Sequence, residues 1–178
     1  TRTSLGEKSG DVYPVYWSEG DKISVNGVES SEAEIDAVNP SRAIFSFDVV
    51  LNYPLNILYP SGSSVIFPAE QNYTEGTFAE GSAPMCGYAA NGGERLALKH
   101  LSGILRFPIK ANEEGATLQK IVITSSTAKL SGEFVVDCEK GSITPTDNTT
   151  DAVTYVANAP LSTSSEQVFY IAVPTVEV

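Results

Sequence analysis

Apolar residues in this chain recur at every second position, and helical spacing is almost absent. Ala43, Phe45, Phe47, Val49 and Leu51 fall on one side of a stretch whose other side carries Arg42, Ser46 and Asp48, the pattern of a strand half buried in a sheet. Leu105, Phe107 and Ile109 alternate with Arg106, Pro108 and Lys110, and Leu130, Phe134 and Val136 alternate with Lys129, Glu133 and Asp137. Val168 to Val173 is apolar on both faces and predicts a central strand covered from both sides. Pro108 has no N–H to give a ladder, so its strand belongs at a sheet edge or carries a bulge there. Over Ser31 to Val38 a capping box between Ser31 and Glu34 competes with a clean alternation of Ala33, Ile35 and Ala37 with acids, and the strand is preferred.

Turn residues separate these runs at short intervals: Asn26-Gly27, Asn39-Pro40-Ser41, Pro60-Ser61-Gly62, Asn91-Gly92-Gly93, Glu113-Glu114-Gly115 and Lys140-Gly141. Roughly ten strands are expected, packed as an antiparallel two-layer β-sandwich with almost no helix. Phe45, Phe47, Phe107, Ile109, Phe134 and Ile171 are expected to share its core. Glu70 to Ala83 and Thr144 to Asp151 are poor in apolar residues and predict surface loops. Residues 1–178 are expected to form one domain, the alternative being two small β domains divided near Gly92.

Composition narrows the partners. Lys and Arg number 11 against 22 Asp and Glu, giving a net charge of −11 that repels phosphate backbones, so nucleic acid is discounted. Ser and Thr together number 34 and charged residues make up only 19%, so hydroxyls supply much of the polarity, as suits exposed strand faces and an exported protein. No apolar run is long enough to be a transmembrane segment. Cys86 and Cys138 lie 52 positions apart, which excludes the short spacing of zinc and redox motifs. Whether they are bridged or stand as buried thiols is left open.

A search for chemistry returns little. His100 is the single histidine, no serine sits in a GxSxG turn, and Met85-Cys86-Gly87 lacks the signatures of cysteine proteases. His100 therefore reads as a strand residue that makes a local hydrogen bond or packs at the core margin. Glu113 and Glu114 fall in a turn, and Asp147, Asn148 and Asp151 in a Ser/Thr-rich stretch without EF-hand spacing, so solvated charge is the expected role. No catalytic, cofactor-binding or metal residue is assigned. Tyr13, Tyr16 and Trp17 form the densest aromatic group; core packing is preferred over sugar stacking. Asn72-Tyr73-Thr74 and Asn148-Thr149-Thr150 match the N-glycosylation acceptor pattern.

Four stretches together resemble the fimbrillin-like proteins of Bacteroidales, the family that includes type V pilins. They are Tyr16-Trp17-Ser18-Glu19-Gly20-Asp21-Lys22-Ile23-Ser24-Val25, Ile57-Leu58-Tyr59-Pro60, Lys99-His100-Leu101-Ser102-Gly103-Ile104-Leu105-Arg106-Phe107 and Phe169-Tyr170-Ile171-Ala172-Val173-Pro174, in this order. The resemblance implies a transthyretin-like Greek-key β-sandwich, a lipoprotein precursor exported to the bacterial outer membrane or fimbrium, and a structural or tip pilus subunit that serves adhesion. Its partners would be other pilin subunits, joined by β-strand exchange. It further implies that the chain is the amino-terminal part of a longer protein. The alternative is a monomeric surface lipoprotein that binds a glycan or host protein. Neither role is enzymatic.

Overall fold

The computed structural model describes residues 3–10, 13–92 and 96–175. Among them there is no helix, and the chain is all-β. The strands are β1 (Ser4–Leu5), β2 (Val15–Tyr16), β3 (Ser24–Val25), β4 (Val28–Glu29), β5 (Glu34–Ile35), β6 (Ala43–Ile44), β7 (Leu55–Tyr59), β8 (Val65–Phe67), β9 (Glu70–Asn72), β10 (Met85–Ala89), β11 (Lys99–His100), β12 (Ser102–Ile109), β13 (Thr117–Thr124), β14 (Ser131–Asp137), β15 (Ser142–Thr150), β16 (Ala152–Pro160) and β17 (Gln167–Pro174). The largest sheet has the order β11-β10-β7-β3-β4; beside it are the sheets β15-β14-β8, β13-β16-β9 and β12-β17, and the pairs β1-β2 and β5-β6. Every strand pairing is antiparallel except that of β16 with β9.

Buried side chains form three clusters. Ile23, Val25, Leu55, Ile57, Tyr59 and Met85 lie on one face of the five-stranded sheet, under Trp17, Phe45, Phe47 and Leu51. Its other face, through Cys86 and Leu58, packs with Leu101 against Val65, Phe67 and Phe134 from β8 and β14. The third cluster lies between β16, which contributes Val153, Tyr155, Ala157 and Ala159, and β17, which contributes Phe169 and Ile171. Strands from either side of Gly92 are hydrogen-bonded to each other, β8 to β14 and β9 to β16.

Local chemistry accounts for the turns. Asn26 (φ 52°) and Gly27 (φ 81°) both take the left-handed conformation of a two-residue type I′ hairpin, which joins β3 to β4. The turn at Lys140-Gly141 closes with Gly141 N–H donating to Asp137 O at 2.7 Å. Pro108 lies on β12, whose one strand partner among the described residues is β17, so proline occupies an edge without a bulge. Ser31 to Val38 contains the short strand β5. Of Asn91-Gly92-Gly93, Gly93 lies outside the described residues.

Several expectations are corrected. The six aromatic and aliphatic residues expected in one core are divided among the three clusters, because the sheets bury their faces against different neighbours. From Ala43 to Leu51 only Ala43–Ile44 is strand; Phe45, Phe47 and Leu51 turn inward, but Val49 is 52% exposed. Leu105 is likewise exposed although Phe107 and Ile109 on the same strand pack inward. The expected loop at Thr144–Asp151 is mostly β15, which needs few apolar residues because it is an outer strand paired with β14, and threonine suits such a position. The expected loop at Glu70–Ala83 contains β9 and buries Gln71, Phe78, Ala79, Ser82 and Ala83.

The burial of Gln71 explains how β17 is covered. Its amide nitrogen donates to Ala172 O at 2.7 Å, and its amide oxygen accepts from Ala172 N at 3.0 Å. The side chain thus replaces one residue of a neighbouring strand, satisfying both main-chain groups of the fully buried Ala172. An isolated parallel bridge between Phe78 and Tyr170 continues the cover. The expected central strand is thus corrected: among the described residues β17 has one ladder partner, β12, and Phe169, Ile171 and Ala172 are buried while Val168, Tyr170 and Val173 are half-buried, the other edge being closed by a side chain and a bridge.

Candidate functional site

The residues singled out by chemistry are scattered. His100 is on β11 opposite Met85, exposed on one side, while packing around its imidazole lowers its pKa from the ordinary value. Glu114 accepts a hydrogen bond from Thr163, and Asp147, Asn148 and Asp151 are exposed along and just after β15. The acceptor asparagines Asn72 and Asn148 are exposed strand residues. Among the described residues no group of three or more His, Cys, Asp or Glu side chains is placed to hold a metal ion.

The two cysteines come together across the sheets. Both are free thiols, Cys86 fully buried on β10 and Cys138 just after β14. The Cys138 thiol lies 3.7 Å from Ile57 O. A hydrogen bond between the two thiols lowers the pKa of Cys86 and raises that of Cys138, and burial opposes the first shift and adds to the second. They pack as small apolar groups in the middle cluster.

The amino-terminal aromatics do not form one platform. Trp17 stands edge-on to Phe45 and Tyr59, with centroids 5.0 and 5.2 Å away, and belongs to the core of the five-stranded sheet. Tyr59 donates to the buried Asp21 carboxylate at 2.9 Å, and the Thr3 N–H donates to Tyr59 Oη at 3.2 Å. Burial raises the Tyr59 pKa well above the ordinary value. Asp21 also accepts from Ser18 N at 2.8 Å. Sequence pattern gave no hint that Asp21 is buried, although its place after Glu19-Gly20 marks a tight turn.

Tyr13 turns elsewhere, edge-on to Tyr170 at 6.4 Å, and lines a groove of about 250 Å³ between the β1-β2 pair and β12. A second, more open cavity of about 490 Å³ runs past Tyr73, Gln167 and Tyr170.

Open strand edges are the other prominent surface. β12 and β13, eight residues each, lie at the ends of their sheets among the described residues, as does β15 with nine. Exposed apolar side chains accompany them: Leu105 on β12, Val122 on β13, and Ile66 and Val135 on the adjacent strands β8 and β14. Such edges offer main-chain donors and acceptors to an added strand. Among the described residues no helix is long and apolar enough to cross a membrane. No protein family, curated protein or solved structure matches the chain.

Proposed function

We propose that the chain is a non-catalytic structural or tip subunit of a bacterial surface fimbria, a Greek-key sandwich of transthyretin-like type that is exported as a lipoprotein precursor and joined to its neighbours by β-strand donation. One observation carries this reading. The four stretches that resemble fimbrillin-like proteins pair two by two: β3 with β7, and β12 with β17 over all eight residues of each. Between the first two stretches Trp17 packs on Tyr59 and Tyr59 donates to Asp21. Segments scattered along the sequence thus form two strand pairs, one in each of two sheets, as expected if their likeness is structural.

The open edges of β12 and β13 supply the means of assembly. A donated strand that buries four or five large apolar side chains gains on the order of 6 to 15 kcal/mol, comparable with the roughly 4 to 15 kcal/mol lost on association. Main-chain pairing along the edge tips the balance. A second reading, a monomeric surface lipoprotein that binds a glycan or host protein, draws on the tyrosine-lined groove.

The edge hypothesis is tested with Leu105→Lys and Val122→Lys, each at an exposed position. Light scattering of the matured protein should show polymers for the parent and loss of polymer for at least one variant, with the circular dichroism spectrum of the monomer unchanged. Polymers that are equally abundant in both variants would place assembly on another surface.

A further inference from the structure

His100, Ser102, Ile104 and Arg106 are alternate residues along β11 and β12, and all four line the 250 Å³ groove. Leu5 and Val15 from the β1-β2 pair, Phe78, Ala83 and the edge-to-face pair of Tyr13 and Tyr170 complete the lining. Within a chain of net charge −11, no acidic residue among the described ones lines this groove. Its ionisable lining comprises Arg106, His100 and two tyrosines, and Lys8 stands nearby with Nζ 5.9 Å from the centre of the Tyr13 ring. Among the described residues Arg106 has no carboxylate at ion-pair distance. Ser102 is 9% exposed, and its hydroxyl is buried without a hydrogen-bond partner. With no exposed surface, that hydroxyl is out of reach of a ligand in the groove, and Arg106 is the cationic group the groove presents.

We infer that this groove binds a small carboxylate with a planar or branched apolar body, the carboxylate on Arg106. A guanidinium offers paired N–H donors matched to the two oxygens of a carboxylate. A doubly charged phosphate would need more donors than one arginine, and it would leave the apolar walls unused. The body lies along Ile104, Leu5 and Val15, and a planar body extends the edge-to-face pair of Tyr13 and Tyr170. The volume is just under the range for drug-sized ligands, which limits the occupant to about ten non-hydrogen atoms. This site is independent of the fimbrial reading.

Phenylacetate is a probe of that size, and phenylacetamide is its uncharged counterpart. Isothermal titration of the purified protein should give saturable binding of phenylacetate and at least about tenfold weaker binding of phenylacetamide, the loss of a charge-assisted pair. Arg106 is exposed, so Arg106→Gln should fold; it should abolish the preference for the acid while leaving the amide unchanged. Arg106→Lys should keep part of the preference. By NMR, the bound anion should raise the His100 titration midpoint, and the amide should not. No saturation by about 10 mM phenylacetate, a range that would mean negligible affinity, overturns the inference. So does equal affinity for acid and amide, or an unchanged preference in Arg106→Gln.

Discussion

Gln71→Met should destabilise the protein by far more than the loss of one surface amide. Methionine keeps the length of the side chain but can neither donate to Ala172 O nor accept from Ala172 N, which Gln71 does at 2.7 and 3.0 Å. Both residues are buried, Gln71 at 1% and Ala172 at 0% exposure, so water cannot replace the amide. Each abandoned main-chain group costs about 1–3 kcal/mol. The thioether is better suited than an amide to burial and offsets part of the sum, leaving about 2–4 kcal/mol. With an m-value of about 2 kcal/mol/M for a chain of this size, the urea midpoint falls by about 1–2 M.

Gln71→Glu supplies the control in charge. A carboxylate can accept from Ala172 N but repels Ala172 O unless protonated, so its folded-state pKa is raised above the unfolded value. The folded state then holds a proton that the unfolded state has released, and stability falls as pH rises from the unfolded carboxyl pKa toward the folded one. Equilibrium unfolding by circular dichroism, with amide exchange at Ala172, tests both variants. A loss under about 1 kcal/mol in Gln71→Met, against the 1–3 expected per orphaned group, together with a still-protected Ala172 amide, would refute the reasoning.

Other perturbations follow from the same packing. Phe134→Ala removes a fully buried ring set edge-on to Phe67 at 5.3 Å and should cost about 3–5 kcal/mol by urea unfolding, whereas the half-buried Phe47→Ala should cost distinctly less. Gly132→Ala should cost at least about 3 kcal/mol, since φ is 107° and the new Cβ would stand 2.1 Å from Asn148 O in the β14-β15 bulge. Burial pushes the Tyr155 hydroxyl to about 12, and it has no hydrogen-bond partner, the Thr74 backbone lying nearby without bonding geometry; Tyr155→Phe should be neutral or stabilising by up to about 1 kcal/mol in thermal melts. Because Tyr59 and Tyr155 keep their protons longer in the folded state, their contribution to stability should be level below about pH 10 and fall as pH rises above it, which an alkaline unfolding series would measure.

The class of fold was legible in the sequence because alternation and turn chemistry are local. Asn26-Gly27 forms its hairpin from its own conformational preferences, and Pro108 marks an edge because it lacks a donor. What failed depended on contacts distant in sequence. Gln71 looks like a loop residue, and only Ala172, 101 positions away, makes it a core residue. Val49 has the parity and hydrophobicity of Phe47 and is exposed because the chain bends at Asp48 and Val49, which breaks the alternation. Ser142–Thr150 carries few apolar residues, and its strand is imposed by β14 across a tight turn. The groove was hidden for a similar reason: His100, Ser102 and Arg106 share a parity visible in the sequence, but nothing local announces that the β1-β2 pair lies over them.

Negative-stain electron microscopy of the complete gene product after proteolytic maturation tests the fimbrial account most directly. The account predicts filaments of uniform width that resist mild detergent, because each subunit completes the sheet edge of the next. Particles that remain single under every maturation condition, in a preparation confirmed as folded by circular dichroism, would contradict it.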